Sequence, residues 1–293
     1  MKKYIAAIVI VTTLLCASGT RADTQLISSS GMAGQAVGLR STTGFEIGGQ
    51  ISDYRYQEHI VANSESMHEA GPKYGIIASG TYAFAHSLFA KADVRFAYGE
   101  NDYSSPVSGK INGVPDYLWD VRLLGGRDVV FEHVPVFKKT INFSVSPYLG
   151  FGYRNLSNDL RGTTSAGFSG YRRDSQYFYL PVGVTQRFRV HDDARIDLNL
   201  EYDYLLSGEQ DSQLSDAGST FPNVTNDQND GYGLRGSLLY EEAHWSFGPF
   251  FDYWNISQSK SASFSAAGIA YSGFEPHNQT IEYGVQVSYK FFK

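Results

Sequence analysis

Residues 195–204 alternate without a fault. Ile196, Leu198, Leu200, Tyr202 and Tyr204 are apolar or aromatic, and Arg195, Asp197, Asn199, Glu201 and Asp203 between them are polar. Successive side chains of a β-strand point to opposite faces, so this segment predicts a strand with one greasy face and one ionic face. The pattern recurs. Leu88, Ala90, Ala92, Val94, Phe96 and Tyr98 alternate with Lys91, Asp93 and Arg95, and Tyr117, Trp119, Val121 and Leu123 with Asp120 and Arg122. Ile141, Phe143, Val145, Pro147, Leu149, Phe151 and Tyr153 stand opposite Asn142, Ser144 and Ser146. Extended over the chain, the alternation predicts ten strands at about 43–56, 73–84, 88–99, 116–126, 140–153, 176–188, 194–205, 231–241, 244–256 and 280–292.

The connections sort by length. Residues 57–72, 100–115, 154–175, 206–230 and 257–279 are long and polar, whereas 85–87, 189–193 and 242–243 are short. Residues 127–139 are the exception, intermediate in length and apolar around Val129-Val130-Phe131. After residue 22 no apolar run approaches the roughly 20 residues of a spanning helix, yet each strand suits the roughly 9–11 residues of a tilted transmembrane strand. In lipid every backbone polar group must find an internal partner, which leaves a closed barrel as the alternative to helices. The expectation is therefore all-β: a single transmembrane up-and-down antiparallel β-barrel of about ten strands, greasy outside and ionic within.

The final strand carries Ile281, Tyr283, Val285, Val287, Tyr289 and Phe291 against Glu282, Gly284, Gln286, Ser288 and Lys290. This run, with the alternation of long and short connections, resembles the bacterial outer-membrane β-barrel proteins. There, an aromatic C-terminal strand is read by the assembly machinery; here Phe292 and Lys293 follow where that signature usually stops. The resemblance implies short turns toward the periplasm, long loops outside, and outer-membrane lipid and lipopolysaccharide as surroundings. It also implies an aromatic girdle near the outer strand ends, for which Tyr98, Tyr117, Tyr153, Tyr177, Tyr204, Tyr232 and Tyr253 are the candidates.

The N-terminus fits export. Met1-Lys2-Lys3 precedes an apolar stretch from Tyr4 to Leu15, and small and polar residues end at Ala22, as in a secretory signal cleaved near that residue. The expected organisation is a signal over 1–22, an N-terminal periplasmic segment over 23–42 and the barrel over 43–293. The single cysteine, Cys16, falls inside the signal, so the exported chain would have no disulfide, thiolate metal site or cysteine nucleophile. With 24 Lys+Arg against 30 Asp+Glu the chain is acidic, which disfavours a nucleic-acid partner. Aromatics reach 15%, with 21 tyrosines, while mean hydropathy is −0.28, as expected where only alternate residues meet lipid and the loops are wet.

The polar strand faces place Glu46, Lys91, Asp93, Arg95, Asp120, Arg122, Arg187, Arg195, Asp197, Glu201, Asp203, Arg235, Asp252, Glu282 and Lys290 in the lumen. A ten-stranded barrel is narrow, so these charges are expected to pair across it and occlude it. Two other readings compete: a narrow channel for small solutes or ions, and a hydrolase at the barrel mouth. Ten strands is the size of the omptin proteases, whose site resembles a pair of aspartates facing an Asp-x-His pair across the outer mouth. Here Asp203 is followed two residues on by Leu205, and the sequence contains no Asp-x-His. Asp93, Asp120, Asp203, Asp252 and Glu282 are the available acids, of which Asp203, Asp252 and Glu282 are expected nearest the outer end.

The histidines, His59, His68, His86, His133, His191, His244 and His277, fall mainly in connections, away from any carboxylate and serine on a lumen face. His59 and His68 share a loop with Glu58, Glu65 and Glu69, and the fourth loop gathers Asp211, Asp216, Asp227 and Asp230; neither has the spacing of an established metal loop. Arg154, Arg161, Arg172 and Arg173 read as third-loop charges placed to meet lipopolysaccharide phosphates. No catalytic, metal or cofactor residue is assigned, and the expected role is structural, adhesive or ligand-binding, carried by loops on a rigid barrel.

Overall fold

The computed structural model describes residues 38–60, 66–137 and 139–292. The proposed signal, its cleavage after Ala22, Cys16, and most of the 23–42 segment lie outside them, as does Glu65. In chain order the strands are β1 (Gly44–His59), β2 (Met67–Ala83), β3 (Leu88–Ser105), β4 (Gly109–Arg127), β5 (Val129–Val136), β6 (Lys139–Asp159) and β7 (Arg172–His191). They continue with β8 (Ala194–Ser212), β9 (Val224–Asp227), β10 (Gly231–Glu242), β11 (Trp245–Ile256), β12 (Ala262–Ala266), β13 (Ile269–Gly273) and β14 (His277–Phe292).

Ten of these form a closed antiparallel ring in the order β1, β2, β3, β4, β6, β7, β8, β10, β11, β14. Closure runs through β14, which pairs with β1 from Gly44↔Phe292 to His59↔His277 and with β11 on its other edge. All ten expected strands are present. The remaining strands elaborate the ends: β9 pairs antiparallel with the outer end of β8, and β12 and β13 form a separate hairpin within the fifth outer loop.

The outward face is the one that lipid accepts. Ile51, Ile76, Leu123, Leu149, Phe151, Val182 and Val285 are each more than half exposed, a density of apolar surface that water would not tolerate. At the outer end of that belt Tyr98 packs on Tyr117 at 4.9 Å, Phe96 on Trp119 at 4.5 Å and Tyr153 on Phe178 at 5.0 Å. A second set of rings, Trp245, Tyr289 and Phe291, marks the opposite end, that of the short turns, with Tyr289 within 5.1 Å of Trp245 and 4.8 Å of Phe291.

Two features differ from the sequence expectation. First, the ladders run well beyond the belt on the outer side: β2 begins at Met67, β4 at Gly109 and β7 at Arg172, while β3 reaches Ser105, β6 Asp159 and β8 Ser212. Residues 100–115 are therefore not a loop but a hairpin turning at 106–108. Above the lipid the outward face meets water, so the chain stays extended without showing greasy alternation. Second, the 127–139 connection is a strand interrupted at Asp128. β5 continues β4 and pairs with β6, so the hairpin projects past the neighbouring turns. Its face carries a ladder of rings in which Phe131 and Phe188 flank Phe143 at 4.9 and 6.0 Å.

Candidate functional site

The lumen is filled in layers. At mid-height, Arg235 on β10 places Nε 2.6 Å from Asp203 on β8 and Nη2 2.6 Å from Asp120 on β4. Tyr179 on β7 donates its hydroxyl to Asp120 at 2.8 Å and accepts from Arg235 at 2.9 Å. Arg122 bridges Glu201 at 2.5 Å and Asp93 at 2.9 Å, and Lys91 meets Asp93 from the other side at 2.9 Å. Asp252 collects Arg154 at 3.0 Å and Arg95 at 3.4 Å, and Arg95 also pairs with Glu282. The side chains of Glu201, Asp203 and Glu282 are fully buried, and Asp120 and Asp252 nearly so. Enclosing such ions costs several kcal/mol each, which only this multiplicity of partners offsets.

Room for the tyrosines comes from glycines that are their register partners on the adjacent strand, Gly152 beside Tyr179 and Gly183 beside Tyr148. A Cβ on Gly152 would lie 2.1 Å from the Tyr179 ring, and one on Gly183 would lie 2.4 Å from that of Tyr148.

Directly above this ionic layer sits a dry one. Ala97, Leu118, Leu156, Tyr177, Tyr179, Leu205, Trp254 and Ile256 form a buried apolar cluster inside the barrel. The placement follows from the period of two: Ala97 is two residues from Arg95, Leu118 from Asp120, Leu156 from Arg154, Leu205 from Asp203 and Trp254 from Asp252. Arg154 and Arg235 lie over the Trp254 ring at 5.2 and 5.6 Å, tying the two layers together.

A third layer closes the outer end. Lys73, fully buried, pairs with Asp116 and sits 3.5 Å from the centre of the Tyr54 ring. Asn158 donates to Glu69 at 2.6 Å and to Asp116 at 3.2 Å, and Arg173 pairs with Glu58 and, at 3.3 Å, with Glu69. From the fifth loop Glu275 reaches in, 3.2 Å from the Tyr56 hydroxyl and 3.9 Å from Arg173. Burial, and next the adjacent Glu58 carboxylate, push Glu275 up to about 8.

The inner end is tied by a strap. Residues 38–43 leave β1 and cross toward the opposite wall, where Ser144 donates to the Leu39 carbonyl at 2.6 Å and Arg195 donates to that of Gly38. Asp128, buried at the break between β4 and β5, accepts the Ser41 amide at 2.7 Å, the Ser146 hydroxyl at 2.6 Å and Arg187 at 3.0 Å. Lys290 and Arg195 share Glu241 there, and Arg195 also holds Asp197 at 2.8 Å. Between strap and mid-height layer lies a cavity of about 290 Å³.

All fifteen sequence-derived lumen charges take part in these ion pairs, including Glu46, which stands 4.0 Å from Lys290. The sequence reading missed Glu58, Glu69, Lys73, Asp116, Asp128, Arg154, Arg173, Glu241 and Glu275 as lumen residues, and the entire apolar layer. Several placements are corrected. Arg154 and Arg173 are buried inside the barrel rather than displayed on the third loop, because β6 and β7 extend through them. Arg161 and Arg172 are the exposed pair, each matched to its own acid, Asp159 at 2.6 Å and Asp216 at 2.8 Å.

Tyr177 does not belong to an outer girdle. It is 3% exposed, faces inward and donates to Gln228 at 3.0 Å, because Phe178 holds the outward phase of β7. The other six tyrosines are exposed or half-buried on the outer face. Asp203, Asp252 and Glu282 lie at mid-height beneath the apolar layer, not at the mouth: β8 runs on to Ser212, and Asp252 and Glu282 are directly paired across β11 and β14. The first-loop grouping is likewise dispersed. Glu58 and Glu69 turn into the lumen, while the His59 ring faces His277 at 5.6 Å.

No protein-family model matches the sequence, and no curated relative matches it. Solved structures do resemble the fold. The outer membrane protease OmpT from Escherichia coli superposes with a TM-score of 0.56 at 9% identity, covering 85% of this chain and 97% of that one. OprG from Pseudomonas aeruginosa gives 0.36 at 12% identity, covering 87% and 98%. Ail from Yersinia pestis gives 0.28 at 9%, covering 86% and 100%. At these identities the first similarity speaks for the fold alone and the other two carry no argument. The chain has the fold of that outer-membrane protease, a closed antiparallel β-barrel of ten strands, with buried charges in its lumen.

Proposed function

We propose that this protein is a non-conducting barrel, a rigid scaffold whose closed lumen holds the wall in shape and whose outer hairpins and loops make the contacts with the surroundings. The observation that carries this reading is the apolar layer around Leu118, Trp254 and Leu205, lying between two ionic layers. Ions and polar solutes crossing it would have to leave their water for side chains that are mostly hydrocarbon and ring, with few hydrogen bonds in exchange.

The outer elements support the second half of the reading. The Lys110 amide donates to the Ser165 hydroxyl at 2.9 Å, tying the third loop to the β3–β4 hairpin, and the β12–β13 hairpin stacks Phe264 on Tyr271 at 5.5 Å. Apolar side chains remain displayed there, with Val107 78% and Ile269 58% exposed. Ordered loops that show apolar tips to the outside are suited to binding.

The hydrolase reading has less support, because each of its five candidate acids is engaged by a cation and lies below the dry layer. Planar-bilayer recording of the refolded chain tests the proposal. Silence is expected from the native barrel, and unitary steps from Leu118→Ser combined with Leu205→Ser. Steady conductance through the unmodified protein would refute it.

A further inference from the structure

The cavity between the strap and the mid-height layer is charged, but its two signs are not equally presented. Its most accessible ionic groups include Lys91, whose side chain is 36% exposed, Arg122 at 20% and Lys290 at 17%. The carboxylates that hold two of these cations are hidden behind them: Glu201, the partner of Arg122, is fully buried, and Glu241, the partner of Lys290, is 3% exposed. Asp93 and Asp197 show 13% each, and Glu46, at 22%, is the acid that reaches furthest into the space. Glu46, as accessible as Arg122, is the exception; with it set aside, the barrel wall turns its acids toward the strands and its ammonium and guanidinium N–H groups toward the cavity.

We infer that this inner half of the lumen is a pocket for a small multivalent anion, of the phosphate or di- and tricarboxylate class, admitted from the periplasmic end beside the strap. Three physical points support the assignment. The volume, about 290 Å³, sits at the low end of the roughly 300–1,000 Å³ typical of small-molecule sites, so the ligand is small. Ammonium and guanidinium donors with spare N–H groups bind phosphate and carboxylate oxygens by charge-assisted hydrogen bonds, which strengthen away from bulk water. Gln50 and Gln286 also line the cavity and add neutral amides able to donate, whereas the Asn199 amide is spent on Tyr148 and Thr185. The dry layer above the pocket makes it a dead end, so an anion entering from the periplasm is held rather than passed across.

Binding is measured by isothermal titration on the full chain refolded in detergent, with inorganic phosphate and citrate as probes and spermidine as the opposite-charge control. Saturable uptake of phosphate or citrate is expected, with no uptake of spermidine. Lys91→Gln should weaken it about tenfold, the loss of one charge-assisted hydrogen bond, whereas Arg161→Gln, on the third loop, should leave it unchanged. Heat-modifiable gel migration confirms that each variant is folded. Should Lys91→Gln fail to fold, Lys290→Gln serves in its place.

Absence of saturable binding, equal binding by the folded variant, or preference for spermidine would overturn the inference. Conductance is a separate readout. A barrel that conducts and still binds citrate would refute the sealed-lumen reading alone, and a silent barrel that binds nothing would refute this one alone.

Discussion

The Glu275 contact gives the outer end a calculable pH dependence. Glu275 is anchored next to Ser259: its amide donates to the Ser259 hydroxyl at 2.8 Å, while its carbonyl accepts the Ser259 amide at 3.0 Å. Its carboxyl enters the lumen among Glu58, Glu69, Arg173, Tyr56 and Tyr171. The single proton of the Tyr56 hydroxyl faces both Glu58 at 3.1 Å and Glu275 at 3.2 Å, so it can satisfy only one of them at a time. With the loop closed Glu275 titrates at about 8, against an ordinary 4.5. The group is raised in the closed state, so its contribution is complete below about pH 4.5 and is lost as pH rises through about 8. Between those limits the loss is at most about 5 kcal/mol.

Opening of the fifth loop exposes the bond after Lys260, whose carbonyl is held in the closed form by Ser259 at 2.9 Å and Asn226 at 3.3 Å. In the regime where opening is fast relative to cleavage, trypsin reads the open population. Normalised to an unstructured peptide, cleavage should rise about fivefold from pH 7 to 8 and about twofold from 8 to 9. The range starts at 7 because His277, held below the ordinary histidine value by burial and by His59, acts in the opposite sense at lower pH. Glu275→Gln cannot titrate and should reduce the slope, what remains coming from Glu69, which burial raises to about 7 in the same layer. A flat wild-type profile, or a slope unchanged in Glu275→Gln, would refute the reasoning.

Other perturbations test the layers below. Arg235→Met strips the cation from Asp203 and Asp120 and should cost about 3–5 kcal/mol in urea unfolding, with a substantial part restored by adding Asp203→Asn. Leu118→Ala, at a fully buried position in the dry layer, should cost about 2–5 kcal/mol by the same assay. Gly152→Ala drives a methyl into the Tyr179 ring and should cost about 1–3 kcal/mol through overpacking. Asp128→Ala removes the acceptor of Ser41, Ser146 and Arg187 together; faster amide exchange at Ser41, with the β1 ladder unchanged, is the expected result.

The barrel and most of its mid-height layer were legible because alternation is strict wherever a strand crosses lipid. Ile196 to Tyr204 and Leu88 to Tyr98 each assign a wall and a lumen face with no further information, and the lumen faces already contained Arg122, Arg235, Asp203 and Asp120. Which acid meets which arginine was not legible. Arg235 pairs with Asp120 from 115 residues away, and that meeting depends on ring closure and register, which no local pattern encodes.

The misplacements share one physical origin: period-two hydrophobicity is a signal of lipid, not of strand. Above the belt the ladders of β6, β7 and β8 continue, but their outward side chains face water, so the contrast between faces disappears and the segments read as loops. Arg154, Arg173, Glu58 and Glu69 were therefore assigned to solvent although the backbone carries them inward. The converse error arises where the lumen is greasy. Tyr177, Phe178 and Tyr179 are aromatic in both phases, and only Phe178, 52% exposed, faces out. Leu205 ends an alternating run on the polar phase, after Asp203, as Ala97 does after Arg95 and Trp254 after Asp252, and these residues are where the sequence announces the dry layer. An apolar residue in the ionic phase of a barrel strand has no lipid to meet, so wherever several strands carry one at the same height, as Ala97, Leu118, Leu156 and Leu205 do, those side chains can only pack on one another inside the lumen.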